Sequence, residues 1–194
     1  RNVDRVVFGH ELKTSMFQSV NPAFIIFLAP AFSWMWVKLR KLKMDPYTPS
    51  KFGLGLIQLG LGFGVLVLGA EYFASSAGLV PLVFLVLAYL LHTTGELCLS
   101  PVGLSMVTKL SPARIVGFVM GSWFLSISFA HHLAATIAKL AAAPSDMGSE
   151  SDSAVDTLPL FSDVYWQGTI VIIAAGLFLF LLVPLLKKWM HGVH

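Results

Sequence analysis

Leu79-Val-Pro-Leu-Val-Phe-Leu-Val-Leu-Ala-Tyr-Leu-Leu-His-Thr-Thr-Gly-Glu-Leu-Cys-Leu-Ser100 decides the fold. A helix needs roughly 20 mostly apolar residues to cross a bilayer, and this stretch supplies them. Within it stands one carboxylate, Glu96. A charge at that depth costs about 2.5 kcal/mol or more, so it faces a cavity or a partner and marks a site for a substrate, an ion or a proton. The structural alternative is a protonated acid hydrogen-bonded to a neighbouring helix. His92, Glu96 and Ser100 follow at i, i+4 and i+8, which predicts one helical face. His92 either tunes the acid or simply hydrogen-bonds it, and Gly95 leaves room for another backbone or a ligand.

Composition agrees with a membrane protein. Hydrophobic residues make up 56% of the 194 positions and charged residues 12%, with a mean hydropathy of +0.78. Soluble domains carry about a quarter charged residues. Cys98 is the only cysteine, which excludes an internal disulfide and a metal site built on several cysteines. The basic residues form short clusters rather than a continuous patch, so nucleic-acid binding has no support.

Five spans are read outward from this stretch, at about 17–37, 52–70, 79–100 (ending at Pro101), 116–140 and 166–186. Each is expected to be a helix, because lipid offers the backbone no hydrogen-bond partner. The predicted class is therefore an all-α integral membrane protein with five transmembrane helices. Lys38, Arg40, Lys41, Lys43 and Lys51 fill the first connection, Lys109 and Arg114 the third, and Lys187 and Lys188 follow the last span. The positive-inside rule makes these places cytoplasmic. The other side carries Arg1, Arg5, Lys13, Lys139, Asp4, Glu11 and Glu71, with an acidic, serine-rich loop holding Asp146, Glu150, Asp152, Asp156 and Asp163. Residues 1–15 then form an extracytoplasmic approach, 16–188 the bundle and 189–194 a cytoplasmic tail. That topology leaves Arg1 outside with no export signal before it. The chain is accordingly expected to be the rear part of a longer protein whose front supplies earlier spans.

Small residues predict close helix contacts, at Gly60 and Gly64 in the second span and at Gly117 and Gly121 in the fourth. Pro22, Pro30 and Pro101 kink or end helices. Asn21 reads either as a cap ahead of Pro22 or, if the helix begins near Met16, as an amide inside the membrane that is open to a ligand. Trp123 and Phe124 are packed, lipid-facing or pocket-lining. His131 and His132 are adjacent and point apart, a poor metal pair. His92 and Glu96 give only two metal ligands, so no metal site and no intramembrane hydrolase is expected.

Several motifs appear in order: Phe17-Gln-Ser-Val-Asn-Pro-Ala-Phe-Ile-Ile-Phe-Leu-Ala-Pro30, Pro49-Ser-Lys-Phe-Gly-Leu-Gly55, Gly95-Glu-Leu-Cys-Leu-Ser-Pro-Val-Gly-Leu-Ser105, Lys109-Leu-Ser-Pro112 and Gly121-Ser-Trp-Phe-Leu125. Together they resemble the proton-dependent oligopeptide transporter family (PTR2-type) of the major facilitator superfamily, from about Ser15 to Leu186. The resemblance would make the five spans the eighth to twelfth core helices, the rear part of a major-facilitator-type transporter. It implies uptake of di- and tripeptides by proton-coupled symport through alternating access, with the proton as coupling ion and no other cofactor. By the same resemblance Glu96 meets the peptide's amino terminus, Asn21 contacts the peptide, Trp123 lines the side-chain pocket and Ser100 contributes one turn on. The hairpin from Pro101 to Ile115 matches a region that gates the cytoplasmic side.

The resemblance also places the protein in the bacterial inner membrane, multi-pass, beside a missing N-terminal half. The family's charged first-helix motif, fourth-helix lysine and seventh helix are absent from this chain. His131 and His132 stand where smaller or amide residues are expected, which suggests a specialised outer half of the fourth span. The competing reading is a non-transporting membrane scaffold or complementing subunit.

Overall fold

The computed structural model describes residues 3–4, 6–7, 10–11, 13–17, 19–142 and 154–189. A short antiparallel pair, β1 (Val6–Val7) and β2 (His10–Glu11), precedes the single turn α1 (Thr14–Phe17). Then come α2 (Val20–Lys41), α3 (Thr48–Tyr72), α4 (Leu82–Leu110), α5 (Val116–Ala142) and α6 (Ala154–Trp189). Each of these five is long and apolar enough to cross a membrane. The all-α class holds, with β1 and β2 as a minor addition outside the spans. The approach segment is tied to the bundle where Asp4 N–H donates to the Val80 carbonyl at 2.9 Å.

α3 is the hub. It packs against α4 on one side and α6 on the other, whereas α2 and α5 lean on α4. Two interleaved glycine series explain this. Gly55, Gly62 and Gly69, seven residues apart, face α4: a β-carbon at Gly55 would lie 2.9 Å from the Gly95 carbonyl oxygen, and one at Gly69 would lie 2.7 Å from Phe84 Cγ. Gly53 and Gly60, also seven apart, face α6, against Phe180 at 2.8 Å and Ile173 at 2.6 Å. Seven residues are almost two turns, so each series stays on one side of the helix. Lipid provides little hydrophobic drive between helices, and close backbone approach takes its place.

Four expectations are corrected. Of the Gly60 and Gly64 pair only Gly60 is tightly packed, Gly64 having Thr169 Cγ2 at an ordinary 3.5 Å. Among the described residues nothing lies within 4 Å of a β-carbon at Gly117 or Gly121, because α5 meets the bundle through other residues. The helix also continues through Pro101 to Leu110, so the proline neither ends it nor begins a hairpin. The turn is reduced to 111–115. Finally, Asp156 and Asp163 belong to α6, which begins at Ala154, ahead of the span proper. Arg1, Arg5, Asp146, Glu150, Asp152 and most of the tail lie outside the described residues.

Candidate functional site

The site is built where α2 crosses α4. Asn21 sits in the first turn of α2, one residue after its start, while Ser19 holds the capping position without a side-chain cap. The amide is therefore free of capping duty and reaches across to α4. Its Nδ2 donates to Glu96 Oε2 at 3.3 Å, and its Oδ1 accepts from the Thr93 hydroxyl at 2.5 Å. Thr93 is fully buried, and its hydroxyl also lies 2.7 Å from the Tyr89 carbonyl. A hydroxyl has one proton to give, so these two acceptors share it. A carboxylate only accepts. The result is a directed chain, Thr93 to Asn21 to Glu96, in which each amide atom meets the partner it requires.

Glu96 is exposed in this chain. It lies on the open side of α4 with Asn21 as its partner. Ser100 is exposed one turn further on. The predicted stripe with His92 divides. Successive i, i+4 positions drift by about 40° around a helix, enough to pass from one neighbouring helix to another. His92 turns to α3, where its ring presses on Gly62 and lies 4.7 Å from the Phe63 ring. Its Nε2 is buried and makes no hydrogen bond. Glu96 shares its side with Thr93 and Ser100 rather than with the α3 seam.

Trp123 is half-buried. Its ring lies over Gly103 of α4, 2.6 Å from where a β-carbon would stand, with Phe52 of α3 at 3.0 Å. Glycine at 103 makes the seat for this indole, and the contact joins α5 to the bundle. Gly103 is seven residues beyond Glu96, about 10 Å along the same helix. Phe124, His131 and His132 are exposed on α5. Sequence reasoning missed Thr93. Its position three residues before Glu96 was the available signal, since i, i+3 neighbours share a helix side. It also placed Lys51 in a loop, whereas Lys51 lies in the first turn of α3 and is buried. Its Nζ is 2.7 Å from Asp45 Oδ1 and 4.6 Å from the Trp36 ring centre, which explains how a cation is accommodated there.

A family model described as PTR2, POT family, matches residues 1–153. The chain is 41% identical over 187 residues to the uncharacterized transporter YclF of Bacillus subtilis (strain 168), covering 95% of this chain and 34% of that protein. It is 47% identical over 136 residues to the peptide transporter YePEPT of Yersinia enterocolitica, covering 69% of this chain and 26% of the relative. Among solved structures it resembles the peptide transporter POT in complex with sulfate, with a TM-score of 0.78 and 37% identity over 95% of this chain and 34% of that one. The chain thus spans between about a quarter and a third of the length of these relatives.

Proposed function

This chain belongs to the POT family, and from that premise we propose that it supplies the C-terminal-half wall of the peptide site in a proton-coupled symporter of di- and tripeptides. The observation that carries this reading is the Thr93, Asn21 and Glu96 chain between α2 and α4. Three polar groups ordered within apolar spans are costly unless they serve a function. The carboxylate can hold one positive charge at a time, either the ammonium group of a peptide or a proton. That exclusivity is the chemistry a symport cycle needs. Asn21 holds the acid and offers its amide to the peptide, Ser100 extends the polar wall, and Trp123 closes it toward α5. His92 acts indirectly, by fixing the α3–α4 seam from which α4 presents Glu96.

Alternating access then requires a second wall from an N-terminal half, with the proton as coupling ion. The proposed placement is multi-pass in a bacterial inner membrane, and the distribution of Lys and Arg supports an orientation with residue 1 outside and the C-terminus in the cytoplasm. The test uses the full-length protein in proteoliposomes. Glu96→Gln should abolish dipeptide uptake driven by an inward proton gradient while leaving insertion and folding intact. Uptake at the wild-type rate in the variant would remove Glu96 as the residue that carries this reading, whereas no uptake by the wild-type protein would leave the scaffold alternative.

A further inference from the structure

A second polar cavity lies between α2, α3 and α4, at the end of the bundle that carries the lysines and arginines. It measures about 180 Å³ and is lined by Trp36, Arg40, Thr48, Lys51, Ser105 and Lys109, among others. Its described lining brings three cationic side chains, Arg40, Lys51 and Lys109, and no carboxylate. Beside it, Asp45 pairs with Lys51 at 2.7 Å. Arg40 reaches the same carboxylate through Nε at 3.6 Å. Its guanidinium has five N–H donors, more than that contact uses.

A second observation points the same way. The Trp36 indole N–H is buried with no acceptor among the described residues, and an indole nitrogen can only donate. A buried donor left without a partner is uncommon in a folded protein and calls for an acceptor. Thr48 opens α3, so the positive end of a 25-residue helix dipole adds to the field at the wall.

We infer that this cavity binds a phosphate oxyanion, held by Arg40, Lys109 and the Trp36 N–H with Lys51 behind them. The phosphate can belong to an anionic phospholipid headgroup or to free phosphate. Basic pockets between transmembrane helices on the cytoplasmic side suit lipid headgroups, and the exposed Trp34, Val37 and Met44 nearby offer apolar surface to acyl chains. This site is separate from the α2–α4 chain and does not depend on what the protein transports.

The experiment measures thermal unfolding of purified full-length protein in neutral detergent, titrated with phosphatidylglycerol, with inorganic phosphate or with phosphatidylcholine. Phosphatidylglycerol should stabilise the wild type, and Arg40→Gln/Lys109→Gln should raise its half-maximal concentration about tenfold or more. Lys41→Gln/Lys43→Gln removes the same charge outside the cavity and should change it by less than about threefold. If inorganic phosphate gives the same shift with the same loss, the site stands and its ligand is the free ion. Trp36→Phe, which removes the N–H donor together with part of the ring but no charge, takes over if the first double variant does not fold. Equal weakening by both double variants would reduce the effect to general surface attraction and overturn the inference. So would indifference of the wild type to both phosphate sources.

Discussion

The Thr93 hydroxyl lies 2.5 Å from Asn21 Oδ1, although 72 positions separate the two residues in the chain. Glu96 only accepts, so it requires the Nδ2 end of the Asn21 amide, and Thr93 supplies the donor that the Oδ1 end then needs. Thr93→Val should therefore leave Oδ1 without its donor, loosen Asn21 against Glu96 and weaken dipeptide binding by about tenfold, on the order of one hydrogen bond. Thr93→Ser keeps the hydroxyl and should restore most of the affinity. Dipeptide Kd in the full-length protein, measured for both variants, checks this; equal losses would show that the hydroxyl does not by itself carry the effect.

The α3–α4 seam should tolerate no side chain at its tightest point. A β-carbon at Gly95 would stand 2.8 Å from the Gly55 carbonyl oxygen, and neither backbone can step aside. Gly95→Ala is expected to cost about 1–3 kcal/mol and to lower the thermal midpoint of the purified protein. Gly117→Ala has open space around it and should be neutral or slightly stabilising, since alanine is the better helix former. Equal midpoints for the two variants would contradict the packing described.

Asp45 and Lys51 should behave as a unit. Asp45→Asn leaves a buried ammonium group beside Trp36 without its counter-charge, a change expected to cost about 3 kcal/mol. Adding Lys51→Met removes the stranded charge, so the double variant should recover part of the loss. A double-mutant cycle in thermal or chemical unfolding reads the coupling directly; additive losses would show that the pair contributes nothing jointly.

His92 gives a prediction of small effect. Because it packs on Gly62 and Phe63 of α3, while the recorded donor to Glu96 is Asn21, a flexible apolar replacement should serve nearly as well. His92→Met is expected to keep gradient-driven uptake within about threefold, less than the loss of one neutral hydrogen bond would bring. A displaced pH profile in this variant would assign His92 a direct part in proton handling.

Read one residue at a time, the sequence was enough for the five helices and the class. Span length and hydropathy are local sums over about 20 residues, and lipid leaves an apolar segment of that length little choice but a helix. Glu96 stood out as a carboxylate within a span for the same reason, since the cost of an acid there needs no knowledge of its neighbours. What the chain could not disclose was who stands next to whom. Asn21 is a cap or a site residue according to where α2 starts and what lies across from it. Only the docking of α2 on α4 puts its amide between Thr93 and Glu96, over separations of 72 and 75 positions. The same holds for Lys51, which reads as one more basic loop residue until α3 begins early enough to bury it against Trp36 and Asp45. Helix rotation and contact depend on how the glycine edges of α3 fit two partners at once, a property of the assembled surfaces rather than of any segment.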